Sequence, residues 1–145
     1  MGKVPALKHG DIVVTECAAI CAYLADTFPQ SELAPAPSDR DRGAYYRWMF
    51  FGAGPLEAAV TYKSLGFEIP ADQFQLQGRA GYGTHDHLAG DRFSAADLYI
   101  SAQLGWGMQF GTIEKRSNFE RFVALHRGRP AAIKATEIDD ALMKK

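Results

Sequence analysis

The sequence predicts a mostly α chain, with a short β-hairpin and one helix ahead of an all-helical domain. Three observations predict it. The β-branched residues Ile12, Val13 and Val14 follow a glycine turn, as strand residues do. A stretch with three prolines, "FPQSELAPAPSD", separates that opening from the rest. Beyond it, apolar residues recur three and four positions apart, and Ser, Asp, Gly and Pro stand where helices start and stop.

Each element has its own warrant. Residues 4–7 and 11–15 are extended runs around "KHGD", with Gly10 supplying the turn. From Cys17 to Thr27 the residues Ile20, Tyr23, Leu24 and Phe28 keep helical spacing, and Pro29 ends the helix by restricting the residue before it. Residues 29–37 form a linker between a unit at 1–28 and a helical domain at 38–145. The next helix is expected to start at Ser38 as cap, with Asp39 and Asp41 in a first turn that favours negative charge. Tyr45, Trp48, Gly52, Pro55, Ala59 and Tyr62 form its stripe. "GAGP" at 52–55 should kink it, because Pro55 has no N–H to donate. A short helix over 71–77 is expected, ended by the glycines at 78, 81 and 83.

"GDRFSAADLYI" carries the clearest local signal. Ser94 and Asp97 form a capping box, with Phe93 and Leu98 at the positions of a hydrophobic staple. Asp97 is read as a structural cap rather than an acid catalyst. A helix over 118–127 opens on Ser117 with Glu120 three residues on and closes at Gly128, and Pro130 starts a last helix over 130–142.

Composition narrows function. The chain has 145 residues, 47% apolar and 23% charged, with a formal net charge of −1. No basic stripe supports nucleic-acid or anionic-membrane binding, and no apolar run is long enough for a bilayer span. Two cysteines make no disulfide framework, and a cytoplasmic location is expected. "THDH" at 84–87 gathers two His and an Asp without the further ligands that a metal site needs, so it is read as a polar loop and no metal is expected.

Three stretches resemble the glutathione transferase family, especially its bacterial and cytosolic members: "GKVPAL", "VVTECAAICAYLAD" and "LAGDRFSAADLYI", with "RPA" at 129–131 in support. The likeness covers most of residues 2–28 and 88–133. It implies that residues 1–28 are part of a thioredoxin-like α/β domain, followed by the family's all-helical domain. It also implies a glutathione site: Val4, whose backbone pairs with the cysteinyl part, a cis Pro5, and Glu16 with Cys17 at the γ-glutamyl end. The physics agrees, since a helix start presents free N–H groups to a carboxylate and Glu16 suits an ammonium. Tyr46 and Phe50 would line a pocket for an apolar electrophile, in balance with a plain core role. Trp48 and Phe51 are read as core.

The resemblance also sets expectations of difference. The residue that activates the glutathione thiol in the family has no counterpart position here, so no catalytic residue is assigned and little turnover is expected of the chain as given. Cys17 replaces the usual Ser, either as a small half-buried side chain or as a reactive thiol. Residues 66–92 have no room for the family's long helix, so part of the Tyr45, Trp48 and Phe51 face should lack its neighbour, giving an exposed apolar patch, a compensating dimer contact or poor folding. A homodimer follows from the family habit. The leading expectation is glutathione conjugation to an electrophilic small molecule, and the alternative is a non-catalytic protein-interaction module.

Overall fold

Gly10 adopts a φ of 60°, and its freedom there lets a two-residue turn join β1 (Ala6–His9) to β2 (Ile12–Thr15). The computed structural model describes residues 4–67 and 86–143. The strands are antiparallel, with Ala6 opposite Thr15 and His9 opposite Ile12. The first strand therefore starts two residues later than the sequence suggests, because pairing continues up to Gly10. Such a hairpin is marginal alone. The His9 ring ties it to the next helix, with Nδ1 2.9 Å from the Tyr23 hydroxyl. That helix, α1 (Cys17–Thr27), packs on β2 and on α4 (Ala95–Gln109).

The second helix, α2, runs Arg42–Phe51, not from Ser38. Residues 38–41 form turns in which the Asp39 carboxylate accepts the Asp41 N–H at 2.9 Å, a local bond that competes with helix. The helix does not stop at Pro55. It widens into a π-helical turn over Gly52–Leu56 and continues as α3 (Glu57–Ser64), because the wider register accommodates the missing proline donor. The expected helix over 71–77 lies outside the described residues.

Two helices follow α4: α5 (Ser117–Arg127) and α6 (Pro130–Met143). Ser117 is the first residue of α5 rather than its cap, which is Arg116. The Ser94–Asp97 box forms, with the Asp97 carboxylate accepting the Ser94 N–H at 2.8 Å and the Ser94 hydroxyl at 2.9 Å. The staple partners face different surroundings. Phe93 lies under the Arg129 guanidinium and beside His126, while Leu98 is 44% exposed.

Burial corrects the expected bare aromatic face. Tyr45 and Trp48 are 1% and 5% exposed, in a core with Met49, Ala95, Ala96 and Tyr99 against which Cys17, Cys21 and Phe51 pack. Helices α1 and α4 supply the cover, so Tyr45 and Trp48 do not need the long helix. Leu56, Ile100, Leu104, Phe122 and Val123 form a second core between the π turn, α4 and α5.

Candidate glutathione site

Val4 stands ahead of the β ladder, whose first pair is Ala6 with Thr15, so its N–H and C=O lie outside the sheet. The Val4–Pro5 bond is cis. Glu16 caps α1 with φ 70° and ψ 122°, a conformation that costs a non-glycine residue about 1–3 kcal/mol. Its carboxylate makes no capping bond to the helix. The first helical bond is Ile20 N–H to Glu16 C=O at 2.9 Å, so the N–H groups of residues 17–19 have no partner within α1.

A cleft of about 710 Å³ brings these groups together. Val4, Pro5, Glu16 and Cys17 all line it, and the π turn and α4 close the far wall with Ala53, Tyr99, Gln103 and Trp106. Its volume suits a ligand of small-peptide size. Burial, then the Glu57 and Glu16 carboxylates, push the Cys17 thiol up from its ordinary value, so it is a neutral thiol at pH 7. Cys21, behind it, is pushed up to about 11 by burial. Cys17 is thus a partly buried neutral thiol, not an anion that would repel a carboxylate. Tyr99 stays protonated, its hydroxyl pushed up to about 12 by burial and by Glu57.

Tyr46 and Phe50 do not line this cleft. Tyr46 lies beneath the Arg42 guanidinium, 4.7 Å from ring centre to Cζ, and Phe50 is 73% exposed. Spacing along α2 set their period, but the phase turns them away from α4. The apolar wall comes instead from Trp106, which the sequence reading passed over. A signal was present: Gly105 and Gly107 flank it, and a Cβ at either would press on Arg127 or Ile113. Two crowded neighbours leave Trp106 on the open side of α4, where it is 61% exposed.

"THDH" also holds more than a polar loop. Donor atoms of His87, Asp97 and His126 lie within 4.8 Å of one another, a grouping hidden by sequence separation. Asp97 is 0% exposed and accepts from Leu88 N–H at 2.7 Å besides its two bonds to Ser94. The His126 Nε2–H donates to the Asp86 carbonyl at 3.1 Å, and the ring packs edge-on to Phe122. These bonds make the cluster a buttress for the start of α4. Burial lowers the His126 pKa, although Asp97 opposes the shift. The unfolded chain therefore takes up this proton first as pH falls. The stability linked to His126 is full above its unfolded value and is lost as pH drops through the folded one. Melting temperature should fall between about pH 7.5 and pH 5.5, which brackets the ordinary His range. Replacing His126 by Phe should flatten that slope, and an equal slope in both proteins would remove the assignment.

No family model matches the chain. Glutathione S-transferase hmp2 of Hypomyces subiculosus is 29% identical over 93% of this chain and 75% of its own length. Glutathione S-transferase GstA of Escherichia coli O157:H7 is 30% identical over 72% of this chain, which spans 57% of that protein. A solved sphingomonad glutathione S-transferase, complexed with glutathione, superposes with a TM-score of 0.72 at 28% identity, covering 96% of this chain and 75% of its own. A thioredoxin-like hairpin and helix joined to a helical bundle is thus the glutathione-transferase type of fold. In sequence and in fold the chain is similar to glutathione S-transferases.

Proposed function

We propose that the chain binds glutathione in the cleft between the hairpin, α1 and α4, and serves transfer of its thiol to an electrophilic small molecule. In this reading residues 1–28 are the thioredoxin-like part, 29–37 the linker and 38–145 the helical domain. One observation carries it: an open peptide at Val4, a Glu16 carboxylate that makes no capping bond and the N–H groups at the start of α1 share one cavity. Val4 offers a donor and an acceptor to the extended cysteinyl backbone. The start of α1 attracts the γ-glutamyl carboxylate, and Glu16 accepts from the ammonium. Thr15 and Tyr99 are hydroxyl donors in the same wall. None of the described lining residues is Lys, Arg or His. Stabilising a thiolate then rests on neutral donors, and conjugation should be slow at neutral pH.

Calorimetric titration with glutathione tests the reading. Binding is expected, and Glu16→Gln should weaken it about tenfold, the loss of one charge-assisted hydrogen bond. A flat titration of the unaltered, folded chain would overturn the proposal. Conjugation of a chlorodinitrobenzene by the same sample should be slow at neutral pH.

A further inference from the structure

Beside the main cleft lies a smaller chamber of about 280 Å³, and the two share Glu57, Gln103 and Trp106 in their walls. The chamber adds Val60, Phe110 and an apolar floor. Trp106 and Phe110 are stacked, with centroids 5.2 Å apart and planes 26° from parallel, and both are more than half exposed. They offer a ready aromatic face. Two acceptors stand beside it. Gln103 donates its Nε2 to the Gly52 carbonyl at 3.2 Å, which fixes the amide orientation and leaves Oε1 buried without a partner. Glu57 stands at the junction as an exposed carboxylate in the first turn of α3. Glu16 and Glu57 are the only charged residues among the described residues that line either space.

We propose that the second substrate of this cleft is an aromatic molecule carrying an amine or other cationic group, with its ring on Trp106 and Phe110 and its cation against Glu57. The proposal rests on the glutathione reading and names the chemistry of the partner molecule. Three forces point the same way. The ring buries apolar surface on the stacked pair. A cation near the Trp106 face gains from the ring quadrupole. The Glu57 carboxylate attracts a cation and repels an anion of the same shape, and both effects enter the ratio of their affinities. An acidic wall would also select against anions, because a carboxylate-bearing aromatic meets Glu57 without a compensating cation among the described lining residues.

Three probes of matched shape test this without requiring turnover: naphthylmethylamine, which is cationic, naphthoate, which is anionic, and neutral naphthylmethanol. Their binding is read from the indole N–H resonance of Trp106 in isotope-labelled chain. The amine should bind at least about fivefold tighter than the naphthoate at low salt, with the alcohol between, as exposed ion pairing plus a cation–π contact predicts. Glu57→Gln should bring amine and naphthoate within about twofold, and raising salt should shrink the ratio in the unaltered protein. The salt series keeps the test decisive if the variant folds poorly. Equal affinities, or a ratio indifferent to both Glu57→Gln and salt, would overturn the proposal. A parallel glutathione titration separates the outcomes: charge selectivity without glutathione binding would strike the proposed transferase reading and leave this pocket standing.

Discussion

Asp97→Ala should lower the melting temperature by about 10 °C. The carboxylate is fully buried and accepts three donors: the N–H of Leu88 and the N–H and hydroxyl of Ser94. Hydrogen bonds to a charged group contribute about 1.5–3 kcal/mol each, and leaving buried donors without an acceptor adds a penalty of its own. Because the three share one residue, the losses do not simply add, and a total of about 3–5 kcal/mol is reasonable. For a chain of this size that converts to about 2–4 °C per kcal/mol. Asp97→Asn keeps one acceptor oxygen but turns an amide toward the other donors, so it should fall between. Asp97 does not line the cleft, and glutathione affinity per folded molecule should stay as it was. A melting temperature within about 2 °C of the parent would mean that the hub carries little of the stability.

That hub also marks how far the sequence could be read. The capping box was legible because its partners are three residues apart and each residue type has a known local habit. Gly10 and the β-branched run announced the hairpin for the same reason. What stayed hidden was long-range. His126 reaches Asp86 across forty positions and Gln103 reaches Gly52 across fifty-one. No local rule predicts such a meeting. Helical periodicity identifies α2 but not the side it presents, and Tyr46 and Phe50 lie outside the cleft that Tyr99 and Trp106 of α4 line. The residues proposed for glutathione are close in sequence. Val4, Pro5, Glu16 and Cys17 sit within thirteen positions of one another, and the hairpin folds them onto one cleft.

Gly52→Ala should destabilise the protein by about 1–2 kcal/mol, although the same change at an ordinary helical glycine is favourable by up to about 1 kcal/mol. The difference is space. A Cβ at Gly52 would stand 2.7 Å from Tyr99 Cε1, 2.9 Å from its Cδ1 and 3.0 Å from Ile100 Cδ1. Both neighbours are buried, at 6% and 0% exposure, and cannot swing out. Overpacking of this kind costs about 1–3 kcal/mol, more than the helical preference returns. Gly43 supplies the contrast: it lies in α2, and a Cβ there meets nothing within 4 Å. Gly43→Ala should therefore raise the melting temperature while Gly52→Ala lowers it, a difference of sign that thermal melts resolve directly. The effect should also reach the ligand. Tyr99 lines the cleft, and the Gly52 carbonyl holds the Gln103 amide, so pushing α2 from α4 widens the far wall and weakens glutathione binding. Gly43→Ala, remote from that wall, should leave binding unchanged. If both variants were stabilised, the close approach of α2 to α4 at the π turn would not be what shapes the cleft.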